Sequence, residues 1–416
     1  MTAAALQRLE AAQFSSCAAS KVPLNASAVS RIGARSMPLD LAFVTERAGF
    51  DSLETEWNQL FEASAQPSQM FLSFNWLWHW CNHYLAGQSL SILTGRRDGR
   101  LVMIWPLVKW RVHGLSVLSF MGEPMSQYGD VLVEAAPDTP DCMRMAWAFL
   151  KSRSGADFVR LGKVRTDSAI ASLLMEAGGR ITDTQVAPYL DLSNANGYAE
   201  YEKRYSGSSR KKRRNLIRRL ADLGPLTVKE VTGGPEARTL VEFAIPLKRK
   251  WLVSRGLVSR AYSDDRITRF FGDVAEAAHK PAGCLVTVIR SAGRPAAVTI
   301  ALLHKDGLGL HILVHDPDFD KLSAGTLLIE HNIRSAADRG LGCYDFLAPG
   351  DAYKLGWADA SVEVNDWVLA LSLAGRAYTR LYLAGMRECV KAAVAALPSP
   401  LRRMLAARIS KAAAAT

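Results

Sequence analysis

The chain has 416 residues, 49% hydrophobic and 22% charged, with 51 Lys and Arg against 40 Asp and Glu. That length buries real cores in two or three domains and excludes a small disulfide-stapled module, while the composition excludes a disordered or collagen-like chain. No run of eighteen apolar residues occurs, so no membrane-spanning helix is expected.

Residues 1–38 lack a basic region followed by an apolar block and read as an Ala/Ser-rich flexible arm rather than a secretory signal, which makes the cytoplasm the expected compartment. A first half follows at 39–195. It opens with a strand at 41–45, helices at 50–63 and 74–86, and strands at 90–94, 101–109 and 116–121, with Arg96-Arg97-Asp98-Gly99 as a turn. A helix at 141–153 and strands at 157–161 and 185–190 complete it. Within the second helix, His79-x-Cys81-x-His83 sets two imidazoles at i and i+4, a spacing that can hold zinc. With Trp76, Trp78, Trp80 and Tyr84 around them and no third ligand evident, packing is the expected role, and no metal is expected.

The junction, 196–224, carries much of the charge. Residues 203–221 hold nine Lys and Arg and no acid, and 375–416 hold eight against Glu388 alone, which leaves 34 basic against 39 acidic residues elsewhere. On a helix Arg210, Arg214 and Arg218 share a face, and Leu216, Ile217 and Leu220 form a narrow apolar stripe. This is a basic amphipathic helix, either a solvated face between domains or an anion site for lipid, nucleic acid or a nucleotide-linked substrate.

The second half, 225–372, repeats the order of the first. A strand at 226–231 precedes helices at 235–254 and 264–279, strands at 284–290, 295–303 and 308–314, a helix at 324–339 stopped by Gly340, and strands at 343–347 and 362–371. The order βααβββαβ…β occurs twice, as expected of a duplicated α/β unit. Residues 373–416 read as two short basic amphipathic helices on either side of Pro398-Ser399-Pro400, suited to anionic lipid or to packing on the body of the protein. The six cysteines, Cys17, Cys81, Cys142, Cys284, Cys343 and Cys389, contain no C-x-x-C pair and read as buried thiols. No G-x-S-x-G, P-loop or post-strand G-x-G-x-x-G motif is present, so serine hydrolase, NTPase and dinucleotide-binding readings lack their signatures.

This element order resembles the GNAT acyltransferase fold. The duplicated form with a basic junction resembles the FemAB-like, cellulose-biosynthesis CelD-type acetyltransferases. The likeness spans roughly 39–371 and is carried by Phe71-Leu72-Ser73-Phe74-Asn75-Trp76, by the run from Ser208 to Asn215, by Lys250-Trp251, by Ser323-Ala324-Gly325-Thr326-Leu327-Leu328, and by Tyr344-Asp345-Phe346 followed by Tyr353-Lys354. It implies an α/β fold of two tandem GNAT-like units, with mixed, mostly antiparallel sheets flanked by helices. It also implies acyl-CoA as co-substrate, its pyrophosphate on backbone amides at a helix start where two strands splay. Free N–H donors and the helix dipole suit a diphosphate there. The matching stretch is Lys321, Ser323, Ala324, Gly325 and Thr326, although only Gly325 keeps the place of the superfamily loop glycines. An ordinary helix start capped by Ser323 is the alternative.

Direct attack by an amine on a thioester needs a proton acceptor and donors for the carbonyl oxygen. The candidates are Asp345, Tyr353 and His315, with Lys354 placed to pair a phosphate or carboxylate. The resemblance puts acceptor between the halves, where Tyr128 and Asp130 of Gln127-Tyr128-Gly129-Asp130 are candidates together with Arg210, Arg214, Lys250 and Trp251. The reading is an N-acyltransferase acting on an amine in envelope or exopolysaccharide-related metabolism. Two alternatives stand beside it: aminoacyl transfer from aminoacyl-tRNA, with the junction helix on RNA phosphates, and a non-catalytic scaffold docked at the inner face of an anionic membrane.

Overall fold

Pro106 divides what reads in sequence as one strand at 101–109. Lacking an N–H, it cannot donate to a ladder, and the chain passes there from one sheet to another. The computed structural model describes residues 39–193, 197–257, 259–278, 280–381 and 396. The arm 1–38 and nearly all of the tail beyond 381, with Cys17, Cys389 and all but the start of the expected tail helices, lie outside the described residues.

The first half contains β1 (Asp40–Val44), α1 (Arg47–Asp51), α2 (Glu54–Ser64), α3 (Phe74–Tyr84), β2 (Ser89–Leu90), β3 (Ile92–Arg97), β4 (Arg100–Trp105), β5 (Leu107–Val112), β6 (Leu115–Phe120), β7 (Leu132–Val133), α4 (Thr139–Arg153), β8 (Phe158–Arg165), α5 (Ala171–Glu176) and β9 (Arg180–Asp191). The second contains α6 (Tyr198–Glu202), α7 (Gly207–Ala221), β10 (Leu226–Val231), α8 (Gly234–Ser254), α9 (Arg266–Glu276), β11 (Ala282–Ser291), β12 (Arg294–His304), β13 (Gly307–His315), α10 (Ala324–Asp338), β14 (Cys343–Asp345), α11 (Ala352–Leu355), β15 (Ala360–Ala370) and α12 (Leu373–Tyr378).

β1, β3, β4 and β7 make a small sheet, and the other eleven strands make one large sheet in the order β10-β11-β12-β13-β14-β9-β15-β8-β6-β5-β2. The final strands of the two halves are exchanged. β9 lies antiparallel to β14 of the second half, and β15 enters between β9 and β8 of the first, so one sheet runs through both halves.

Ser73 caps α3 by accepting from the Trp76 N–H. Its apolar positions Trp76, Leu77, Trp80 and Tyr84 recur at helical spacing and are all buried. Burial of each large ring contributes roughly 3 kcal/mol. Trp76 meets Phe270 of α9 edge to face at 4.9 Å, and His83 pairs with Asp273 of the same helix at 2.6 Å. Among the described residues no group of three or more His, Cys, Asp or Glu is placed to hold a metal ion, and no helix is long and apolar enough to cross a membrane.

The junction departs from the expected single helix. A short α6 precedes α7, whose Ser206 cap accepts from Ser209 N at 3.1 Å. The buried stripe of α7 is Arg213, Leu216 and Leu220, while Ile217, expected inside, is 44% exposed. Arg213 takes that inner position because aromatic faces and a carboxylate meet it: its guanidinium lies 3.8 Å over Tyr205 and 5.5 Å over Trp357, with Nε 3.5 Å from Glu330.

Candidate functional site

The parallel pair in the middle of the large sheet parts after three residues. β13 faces β14 through Gly307, Leu308 and Gly309, opposite Cys343, Tyr344 and Asp345, and then runs on to His315 beyond the end of β14. On its other edge the pairing with β12 slips between Ile300 and Ala301, which face Ile312 and Leu310, so His311 is a bulged residue. A bulge bends and twists its strand, here at the point where β13 leaves β14.

The parting opens a cavity of about 340 Å³ beside Leu313, Val314 and His315. Ser323, Gly325 and Thr326 at the start of α10 line it, with Lys248 and Trp251 of α8 and Tyr353 and Trp357 on the opposite wall. The backbone at Ser323 is left-handed, with φ 51°, and its side chain does not cap the helix. The alternative of a plain Ser323 cap is therefore replaced by a different start, in which Ser323 O accepts from Thr326 N at 2.9 Å and from Leu327 N at 3.3 Å. A Cβ on Gly325 would meet nothing nearer than a Leu313 methyl at 3.7 Å and His315 Nδ1 at 3.8 Å. Protein contacts do not demand glycine there, and the space above it belongs to the cavity. Ala324 is buried. The Lys321 side chain lies outside what is described.

His315 joins the cavity wall with Nε2 2.6 Å from Asp320. Trp251 is clamped by cations, Lys248 Nζ at 4.4 Å and the Arg255 guanidinium at 5.2 Å from its ring centre. Burial holds the Lys248 ammonium below its ordinary pKa, opposed by Asp351. Lys250 is exposed and lines neither this cavity nor the next.

A second cavity, about 260 Å³, lies two residues back along β13, where His311 forms part of its wall with Gln127, Tyr128, Lys163, Tyr262 and Asp366. His311 and Leu313 are about 7 Å apart along the strand, so the two cavities are neighbours on one strand. His311 Nε2 lies 2.8 Å from Met125 O, and since a carbonyl only accepts, Nε2 carries the hydrogen. Burial pushes this imidazole down to about 4, so it is neutral at pH 7. Lys163 donates to Ser126 O at 3.1 Å and Gln127 Oε1 at 2.9 Å, and burial brings its ammonium down to about 8 against the opposing pull of Glu123 and Asp366.

A buried polar network runs from Tyr128 of the second cavity. Asp345 accepts from the Tyr128 hydroxyl at 2.9 Å, Arg165 Nη1 at 3.0 Å and Leu347 N at 2.7 Å. Burial raises its carboxyl above the usual range even with Arg165 beside it. Leu347 has φ 58°, and its carbonyl accepts from Lys354 Nζ at 3.0 Å. Burial, with Lys248 and Lys163 adding to it, brings Lys354 down to about 8. Asp345 and Lys354 line neither cavity, and both bind the left-handed residue Leu347.

The structure thus gathers His315, Ser323, Gly325, Thr326, Tyr353 and Trp251 around one cavity and Tyr128 beside the next. Asp130 is placed elsewhere. It is 5% exposed and accepts from Gln69 Nε2 at 2.6 Å, Val131 N at 2.8 Å and Ile170 N at 3.2 Å, and burial pushes it up to about 6. Its contacts join three segments of the first half. Arg210 is half-buried and Arg214 exposed on α7, outside both cavities. Sequence reasoning missed Lys163, Lys248, Trp357 and His311 as parts of the site; none of the four stands in a motif.

Residues 207–355 match the acetyltransferase (GNAT) domain family. The chain is similar to the crystal structure of FemX, at 10% identity and a TM-score of 0.56 over 83% of this chain and 100% of that one. It is also similar to the C-terminal (DUF2156) domain of a putative lysylphosphatidylglycerol synthetase from Agrobacterium fabrum, at 11% identity and a TM-score of 0.51 over 80% of this chain and 95% of that one. A conserved protein of unknown function from Bacteroides thetaiotaomicron VPI-5482 matches at 12% identity and a TM-score of 0.50, over 79% and 100%. No curated protein matches the chain. The fold is mixed α/β of the GNAT acyltransferase type, its sheets flanked by helices.

Proposed function

We propose that the protein is an N-acyltransferase that moves an acyl group from acyl-CoA to an amine, of the FemAB-like, CelD-type kind and serving envelope or exopolysaccharide metabolism. The observation that carries this reading is the cavity opened where β13 leaves β14, closed at one end by the start of α10 and adjoined on the same strand by a second cavity. In this reading the donor's pyrophosphate rests on the amides of residues 324 and 325, where the helix dipole and the open space above Gly325 favour it. Its thioester follows the uncovered edge of β13 toward His311, and the amine enters through the second cavity. Tyr353 faces the donor and supplies a proton to the departing thiolate, while Lys354 and Asp345 hold Leu347.

Calorimetric titration of acetyl-CoA and longer acyl-CoAs into the wild type and Gly325→Asp tests this. Binding by the wild type and its loss in the variant are expected; no binding by the wild type removes the reading. A second reading, in which the donor is an aminoacyl-tRNA, is favoured by α7, which packs on Phe319 and the start of α10 through Leu216 and Leu220 while Arg214 and Arg218 stay exposed. Retention of tRNA that falls steeply with salt would support it.

A further inference from the structure

The amine in such a transfer arrives as an ammonium and must lose a proton before or as it attacks, yet the sequence candidates for that task do not face the second cavity. Asp345 is saturated by three donors and Tyr353 and His315 stand in the donor cavity. Lys163 is different. It lines the second cavity, and two acceptors, Ser126 O and Gln127 Oε1, fix its nitrogen. Among the described residues no third partner and no carboxylate within ion-pair distance meets it. Its backbone is left-handed, with φ 58°, and is held so by Asp366 Oδ1, which accepts from Lys163 N at 2.9 Å. A long side chain does not adopt that conformation by default, so tertiary contacts impose its direction.

A neutral lysine has two N–H groups and one lone pair. With both N–H groups engaged, the remaining tetrahedral position of Nζ is the lone pair, left to the cavity. We infer that Lys163 is the general base that deprotonates the acceptor amine, an inference that rests on the acyl-transfer reading above. As the amine nitrogen bonds the acyl carbon, Lys163 Nζ takes one of its protons. The ammonium's other departing proton has gone to solvent before attack; the carbon–sulfur bond then breaks, its electron pair leaves on the thiolate, Tyr353 protonates that thiolate, and Lys163 returns its proton to the Tyr353 oxygen through solvent, giving amide, thiol and one released proton. Burial supports the role by keeping much of this lysine neutral near pH 8. The charged and titratable groups around it are Glu123 and Asp366, which favour its ammonium, and Lys354, which opposes it. The Arg260 guanidinium, a further positive charge, lines the same cavity, and neutral His311, Tyr128 and Tyr262 complete the surroundings.

The test is the pH profile of kcat/KM for one amine in the wild type and in Lys163→Arg and Lys163→Gln. Arginine keeps donors for Ser126 and Gln127 but does not deprotonate. The wild type should show a limb rising with a midpoint near 8. Both variants should lose that limb and about 100-fold or more in kcat/KM, with donor affinity within about threefold. In the wild type, carbon-13 NMR of labelled lysine should show two resonances titrating near 8, those of Lys163 and Lys354, of which one is absent from Lys163→Arg. An unchanged limb in folded Lys163→Arg, or a Lys163 resonance titrating with exposed lysines, overturns the assignment and leaves the acyl-transfer reading standing. A wild type that binds acyl-CoA and transfers to no amine overturns both.

Discussion

Asp345 offers the sharpest distinction between a group that does chemistry and one that places others, through two substitutions. In Asp345→Asn the side-chain oxygen still accepts from Leu347 N and the Tyr128 hydroxyl. The loss is the charge facing Arg165, which keeps a second carboxylate, Asp167, at 2.9 Å. One charge-assisted hydrogen bond in a buried setting is worth about 2 kcal/mol. In Asp345→Ala all three bonds go at a position 3% exposed, and the Tyr128 hydroxyl and Leu347 amide are left without partners, for a cost of about 4 kcal/mol. Leu347 then loses the contact that helps hold its left-handed backbone, and the carbonyl that binds Lys354 moves with it. Urea unfolding should rank wild type, Asn and Ala in steps of about 2 kcal/mol, and turnover should follow, within about tenfold of wild type for Asn and well below it for Ala. An Asn variant as stable as wild type that loses the 100-fold or more expected of a missing proton carrier would refute the placing role.

His304 is fully buried 4.4 Å from the Phe61 ring, and burial pushes it down to about 4. Its unfolded form takes a proton first as pH falls through about 6.5, so stability is lost progressively between there and 4, by about 3 kcal/mol; His304→Phe should lack this component, and parallel denaturation curves for variant and wild type across that range would count against it. Gly325→Ala should fold as well as wild type, because a Cβ meets nothing nearer than 3.7 Å, yet weaken donor binding about tenfold or more by calorimetry. Replacing Arg210, Arg214 and Arg218 with Gln should leave stability within about 0.5 kcal/mol and flatten the salt dependence of any polyanion retention; an unchanged slope would place that binding elsewhere.

Local chemistry made much of the fold legible. Gly340 ends α10, turn residues at 98–99 and 305–306 separate hairpin strands, and the helix start at 323–326 stands out from the strand before it. What escaped depends on distant partners. The interruption at Pro106 is written in the residue itself, but the sheet the chain enters there is not. The exchange of β9 and β15 leaves no trace in periodicity, since each strand reads the same whichever neighbour it finds. Arg213 and Arg214 are adjacent and alike in sequence, and only the positions of Tyr205, Glu330 and Trp357 decide which one goes inside. Lys163 owes its direction to Asp366, 203 residues away. Of the candidate site, the cavity at the start of α10 could be found from sequence because one continuous stretch, 323–326, supplies part of its lining. The second cavity is assembled from side chains of both halves.

The crossing of the two closing strands sets an order on biosynthesis. As the ribosome releases the chain, β8 and β9 emerge long before residues 360–370 exist, so the N-terminal half waits with a slot between two unpaired strand edges. Filling that slot is among the last acts of assembly and joins residues about two hundred positions apart, a pairing of the kind that slows folding. A nascent chain halted before residue 360 therefore displays an adhesive gap that the finished protein conceals.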